Sequence, residues 1–376
     1  MKNLINAKSK TDLSGFYIVY HGSTLFEKPG TYGISHLMEH LMCKNFDDLQ
    51  DNFDEDGIGW NAYTSSNLIC FYITGLDKYV NKWKYILFNK MKNFQVTQET
   101  LDKEKKIVLE EYKDAFNNQA ETHLANLYRK IYGSYDAIGQ RESIEAITLK
   151  DCEDHFNRQY QNPQVINISK HNKFKLEGFV EKELSFPKEK LKLKPKDVSV
   201  TYEKSNEFKE KTSIALLSPI VKDKDAAMVR FICYLFGMGL KSPLYQEIRE
   251  KKGLVYYVRC YINDFSTNGS VLISSETSNE NVDEFIKTVQ YVLENKEKFI
   301  TQERFDVVKQ YFEILFEKNK ILSYENPESF YRSPNWSLKK LFKQKDFNLE
   351  KVMEMCDKYF DFDFYYVSTD KTEDWI

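Results

Sequence analysis

His36, Glu39, His40 and Cys43 fall at i, i+3, i+4 and i+7 within residues 33–44, Gly-Ile-Ser-His-Leu-Met-Glu-His-Leu-Met-Cys-Lys. On a helix these four side chains make one stripe. Apolar residues at 34, 37, 38, 41 and 42 cover most of the remaining surface, so the segment reads as a buried helix. A polar stripe on a buried helix needs partners, because an unsatisfied polar group in a core is costly. A metal ion is a partner that fits. Two histidines at i and i+4 present imidazole nitrogens to one zinc. The glutamate between them is near enough to take a proton from a water that the ion polarises. The order His-x-x-Glu-His is the reverse of the H-E-x-x-H arrangement. The competing reading is a helix whose two histidines hydrogen-bond at the edge of a core.

A catalytic zinc takes three protein ligands and leaves a position for water, so a third ligand must come from another element. The expected helix Glu99–Ala115 offers candidates. Glu104, Ile107, Val108 and Glu111 share one face there, and acidic residues on an inward face are uncommon unless they are paired or bind metal. Glu99, Asp102, Glu110 and several lysines on the same helix read as solvated.

The elements that must position these groups recur along the chain. An alternating apolar run at 68–74 precedes a helical segment, then Thr97-Gln98-Glu99 and a long charged helix. In the second half a run at 270–274 precedes a helical segment at about 281–295, then Thr301-Gln302-Glu303 and another long helix. The two triplets are offset by 204 residues. The pattern implies two related α+β domains, each a mostly antiparallel sheet covered by helices. The expected division is 1–185 for a metal-binding domain, a lysine- and proline-rich linker at 186–200, and 201–376 for a second domain.

Composition narrows the function classes. A chain of 376 residues with 41% hydrophobic and 30% charged residues suits two globular domains. A net charge of −3 provides no general attraction to nucleic acid or an anionic membrane. Gly57-Ile58-Gly59 is not followed by the rest of a dinucleotide loop. No apolar run is long enough for a membrane span or a signal peptide, and the six cysteines are scattered without a C-x-x-C pair. These features point to a cytoplasmic protein.

Together the motif residues resemble the insulinase-like (pitrilysin, M16) metallopeptidases, in which a His-x-x-Glu-His helix is followed by a helix with two glutamates seven apart. Glu104 and Glu111 have that spacing. The resemblance implies Zn2+ held by His36, His40 and Glu111, with Glu39 as general base and Glu104 as a supporting carboxylate. Gly59-Trp60-Asn61-Ala62-Tyr63-Thr64 resembles the family's G-x-N-A-x-T segment, an edge strand on which Asn61 and Ala62 would meet the substrate backbone. Arg249-Glu250-Lys251-Lys252-Gly253-Leu254-Val255-Tyr256 resembles its R-x-x-x-x-G-x-x-Y region, in which Arg249 and Tyr256 would hold substrate near the scissile carbonyl. Gly139 through Ile144, with Ile147-Thr148, resembles its G-x-x-x-x-I-x-x-I-T stretch. Shifting the metal residues by 204 places Leu240, Leu244 and Leu315 opposite His36, His40 and Glu111, so the second copy reads as lacking a metal site.

The implied activity is zinc-dependent endoproteolysis of peptides or small unfolded polypeptides, including processing of a precursor. The alternative is a non-catalytic scaffold or partner subunit of the same fold. Family members enclose a chamber with four such domains, and this chain has two. The resemblance therefore implies a homodimer, or a heterodimer with a sibling chain, with Arg249 and Tyr256 acting in trans.

Overall fold

The computed structural model describes residues 2–132, 137–181, 211–218, 220–264, 268–321, 337–362 and 366–369. The linker expected at 186–200 lies outside the described residues. In chain order the elements begin with β1 (Lys2–Lys8), β2 (Leu13–His21), α1 (Ile34–Cys43), α2 (Gln50–Glu55), β3 (Gly59–Thr64), β4 (Leu68–Leu76) and α3 (Asp77–Lys90). Then come α4 (Gln98–Asn117), α5 (Gln119–Tyr132), α6 (Arg141–Ala146), α7 (Leu149–Gln159), β5 (Gln164–Ser169) and β6 (Phe179–Glu181). The second series is β7 (Lys211–Leu217), β8 (Val221–Lys222), α8 (Ala226–Gly237), a π-type turn at Tyr245–Glu250, β9 (Arg259–Asp264) and β10 (Asn268–Ser278). It ends with α9 (Val282–Glu294), α10 (Lys296–Phe299), α11 (Gln302–Ile321), α12 (Leu338–Leu341), α13 (Leu349–Tyr359) and β11 (Tyr366–Thr369).

The described residues divide into two compact units, giving the α+β two-domain architecture. One unit contains residues 2–115, 137–181 and 317–321; the other contains 116–132, 211–316 and the described residues from 337 onward. Helix α5 thus belongs with the second unit.

The first unit is built on a six-stranded sheet in the order β3-β4-β2-β5-β1-β6. β2 pairs antiparallel with β4 and β5, β3 pairs antiparallel with β4, and β1 runs parallel to β5 and β6. Alternation along β2 separates two faces, as the two-residue strand period requires. Phe16, Ile18 and Tyr20 join the main core with Leu37, Met38, Leu41 and Met42 of α1, while Tyr17 and Val19 join Leu68, Cys70, Ile166 and Ile168 in a smaller cluster. Burying an apolar side chain of this size contributes roughly 1.5–3 kcal/mol, so these residues of α1 hold that helix to the sheet.

The second unit has an antiparallel sheet in the order β11-β7-β10-β8, with β9 also paired to β10. Its topology repeats that of the first: β2, α1, β3, β4, α3 and α4 correspond in order to β7, α8, β9, β10, α9 and α11. The two long helices keep the 204-residue offset at both ends, Gln98 to Gln302 and Asn117 to Ile321. The shared triplets do the same work in each copy. Thr97 Oγ1 accepts from the Thr100 N–H (3.1 Å) and Thr301 Oγ1 from the Arg304 N–H (3.2 Å), the geometry of a helix cap. Gln98 donates to Asp102, and Gln302 to Asp306.

The offset fails at the first helix. α8 starts 192 residues after α1, and Leu240 sits in a turn, 67% exposed. The positions matching His36 and His40 are therefore Met228 and Ile232, both buried, rather than Leu240 and Leu244. Of the 12-residue difference, eight residues fall between the starts of α8 and β9, in the stretch that carries Arg249 and Tyr256, and four between the starts of β9 and α11. With Leu315 at the position of Glu111, all three counterparts of His36, His40 and Glu111 are apolar.

His155 on α7 is fully buried, with Arg158 donating to its Nδ1 (3.1 Å) and no hydrogen-bond partner at Nε2 among the described residues. Burial, and then the Arg158 charge, push its imidazole down to about 3. The unfolded chain, with an ordinary histidine pKa of about 6.5, binds a proton that the folded unit refuses. The associated stability is fully present above about pH 6.5 and is lost as pH falls toward 3. Each tenfold difference in proton affinity between the folded and unfolded chain is worth roughly 1.4 kcal/mol. His155→Gln should flatten the slope of unfolding free energy against pH over that window. Urea titrations at several pH values measure it, and an unchanged slope contradicts the assignment.

Candidate metal centre

Helix α1 begins at a sharp backbone turn. Gly33 takes φ 98°, outside the range that L side chains favour. It supplies no side-chain cap, and the Glu27 carboxylate substitutes by accepting from the Gly33 N–H (2.9 Å) and the Ser35 N–H (2.8 Å). A carboxylate there satisfies free amides and complements the positive end of the helix. Gly139, at φ 81°, lies directly against this turn; a Cβ on it would meet Gly33 Cα at 2.3 Å. Ile144 Cγ1 also approaches Gly33, and Thr148 opens α7 in a reciprocal cap with Asp151. The Gly139–Thr148 stretch therefore seats the start of α1, and its glycine is required by contact between two backbones.

On α1 the apolar residues are buried, and His36, Glu39, His40 and Cys43 make the half-buried stripe. α4 supplies the groups opposite. Leu101, Glu104 and Val108 are buried on it, and Glu111 is half-buried. Ile107 is 38% exposed, so it is not on the inward face where the sequence pattern puts it; Leu101 belongs there instead. The 100° advance per residue leaves 107 beside the face formed by 104, 108 and 111.

Glu111 Oε2 lies 3.3 Å from His36 Nε2 and 3.5 Å from His40 Nε2. One ligand atom from each of these three residues falls within 4.8 Å of the other two, and this is the only such trio among the described residues. The imidazole rings are perpendicular, with centroids 4.8 Å apart. His40 Nδ1 faces Glu104 Oε2 at 3.4 Å. The buried Glu104 thus stands behind His40, while Glu111 stands before both histidines.

Burial, with His40 second, pushes His36 down to about 4, which keeps its imidazole neutral and able to bind metal near neutral pH. His36 Nδ1 is buried without a hydrogen-bond partner among the described residues. Two neutral imidazoles and a carboxylate are a donor set that suits zinc, and a carboxylate behind one imidazole is the usual second partner of a zinc-bound histidine. The residues present fit the ion.

Glu39 accepts a hydrogen bond from Thr64 Oγ1 at 2.5 Å. Burial raises its pKa, against the opposing effects of Thr64 and His40. Thr64 ends β3, the edge of the sheet, which pairs with β4 alone among the described strands. Asn61 and Ala62 lie on this strand, Asn61 exposed and its Oδ1 accepting from the Ala62 N–H (2.8 Å). In the sequence Thr64 stands out only as part of a motif, and Glu27 and Lys44 do not stand out at all. Only the side-chain contacts distinguish them, because each partner is distant in sequence or carries no spacing signal.

Arg249 and Tyr256 are in the second unit. Arg249 is the next-to-last residue of the π-type turn, donates to Tyr245 Oη, and its guanidinium lies 4.8 Å from the Tyr245 ring and 5.1 Å from the Tyr256 ring. Tyr256 is 81% exposed. Gly253 (φ 64°) lets the chain reverse between them. The structure brings this pair together within the second unit, and groups His36, Glu39, His40, Glu104 and Glu111 within the first.

Comparison with known proteins gives the same outline. The chain is 23% identical over 274 residues to an uncharacterized zinc protease of Rickettsia bellii, covering 69% of this chain and 66% of that one. It is 23% identical over 150 residues to the human mitochondrial-processing peptidase subunit beta, covering 38% and 31% respectively. A protease from Helicobacter pylori of known crystal structure shares the fold, with a TM-score of 0.78 at 19% identity over 97% of this chain and 96% of that one. No helix among the described residues is long and apolar enough to cross a membrane. Residues 4–138 match the family described as insulinase (peptidase family M16), and residues 145–312 match the peptidase M16 inactive domain. With consecutive matches over most of its length, the chain belongs to the insulinase-like M16 peptidase family, as a member of about half size.

Proposed function

We propose that this chain is a zinc metalloendopeptidase that cleaves peptides or small unfolded polypeptides. The observation that carries the proposal is the convergence of His36 Nε2, His40 Nε2 and Glu111 Oε2 from two helices, with the Glu39 carboxylate on the same stripe. His36, His40 and Glu111 would hold the ion, which when bound supplies Lewis acidity toward a water and the scissile carbonyl. Glu39 holds and passes the proton: its burial favours the protonated form, and Thr64 fixes its direction. Glu104 orients His40 through Nδ1.

An extended substrate would add to the outer edge of β3, unpaired among the described strands, with Asn61 and Ala62 at its backbone. Main-chain pairing of this kind tolerates varied side chains. We assign Arg249 and Tyr256 to substrate binding within a dimer, made with a second copy or a sibling chain. A partner subunit without activity of its own is the alternative, and one assay separates the two. Chain fractionated by size is tested for zinc and for cleavage of a mixed peptide library, with products read by mass spectrometry before and after chelation. Stoichiometric zinc and chelator-reversible cleavage confined to a dimer-sized fraction are expected. Zinc-loaded chain that cleaves nothing favours the partner-subunit reading, and an active monomer defeats the dimer.

A further inference from the structure

Lys44 lies one residue beyond α1 and four beyond His40. Its Nζ is 3.3 Å from Glu104 Oε1, while Glu104 Oε2 is the oxygen 3.4 Å from His40 Nδ1. The two oxygens of one carboxylate thus face an ammonium and an imidazole. The Glu104 side chain is only 3% exposed, so its charge needs compensation from within the protein. Among the described residues Oε1 receives no hydrogen bond of good geometry, and the Lys44 charge is the compensation that faces it. Asp47 Oδ2, 3.7 Å from Lys44 and 60% exposed, is the other carboxylate beside this ammonium, and solvent screens it far more.

We propose that Lys44 is a positioning residue for the metal centre: it pins one oxygen of Glu104 so that the other orients His40, and so strengthens metal binding at His40 Nε2. The inference rests on the reading of His36, His40 and Glu111 as a metal site. Its physical content is that a buried carboxylate deprived of its cation is poorly compensated. The carboxylate then holds the imidazole less firmly. Outer partners of metal-bound histidines affect affinity in this way.

The test measures zinc affinity of the full chain by competition with a metallochromic chelator, for wild type, K44M, K44R, E104Q and K44M/E104Q. The melting temperature of each metal-free form serves as the folding control. K44M should weaken zinc binding by about tenfold, the low end for an outer partner. K44R keeps the charge and should restore most of the affinity. In the E104Q background, K44M should add no further loss, because the two residues act through one path. K44M with wild-type affinity overturns the proposal, whatever its melting temperature. So does a K44M loss repeated in full in the E104Q chain. A wild-type chain that takes up no zinc overturns the metal-site reading and this inference with it, and zinc-binding wild type separates the two failures.

Discussion

Glu39→Gln should keep one zinc per chain and lower kcat by about 10²–10⁴-fold, the range expected when a positioned acid–base group is lost. Glutamine has nearly the shape of glutamate, and its amide oxygen still accepts from Thr64 Oγ1. The contacts among His36, His40 and Glu111 do not run through Glu39, so the proposed ligand set should be preserved. What disappears is the group able to take up and return a proton. If Glu39 does this in the chemical step alone, KM should change little. Zinc content and turnover must be measured on the same preparation. Near-normal peptide cleavage by the zinc-loaded variant would sink the proposed role.

His36→Ala should remove metal and activity together. Losing one of the three proposed ligands should cost more than the ~10–100-fold in affinity typical of outer partners. The fold should survive, because the apolar side of α1 is untouched and alanine is a better helix former than histidine. Circular dichroism checks that point, and chelator competition gives the affinity. A variant that retains stoichiometric zinc at wild-type affinity would take His36 out of the ligand set. Glu39→Gln keeps metal without turnover, whereas His36→Ala loses both; the contrast distinguishes a proton carrier from a ligand.

Much of the fold was legible because its signals are local. The stripe of α1 and the alternation of β4 depend on spacing within a few residues. The repeated Thr-Gln-Glu triplets were visible for the same reason: Thr97 and Thr301 each cap the helix they begin. The offset drawn from those triplets misplaced the counterparts of His36 and His40, since the 12-residue difference between the copies accumulates upstream, eight residues of it between the starts of α8 and β9. A shift measured at one pair of elements does not carry across a length difference elsewhere. Ile107 was misplaced because periodicity assigns a side chain to an approximate face and not to a depth.

By itself the sequence determined that a buried helix carries His36, Glu39 and His40 on one side, because helical spacing and the cost of unpaired buried polar groups are properties of the segment. It also determined that two related halves follow one another and, through its motif resemblance, to which family they belong. The tertiary structure decided which acidic groups of α4 meet that stripe. It set Glu111 before both histidines and Glu104 behind His40, and brought Thr64 to Glu39 and Lys44 to Glu104. These contacts join residues up to 75 positions apart, as between His36 and Glu111. They exist because Gly33 and Gly139 let two backbones touch and because the apolar side of α1 packs on the sheet, and no local pattern encodes that closeness.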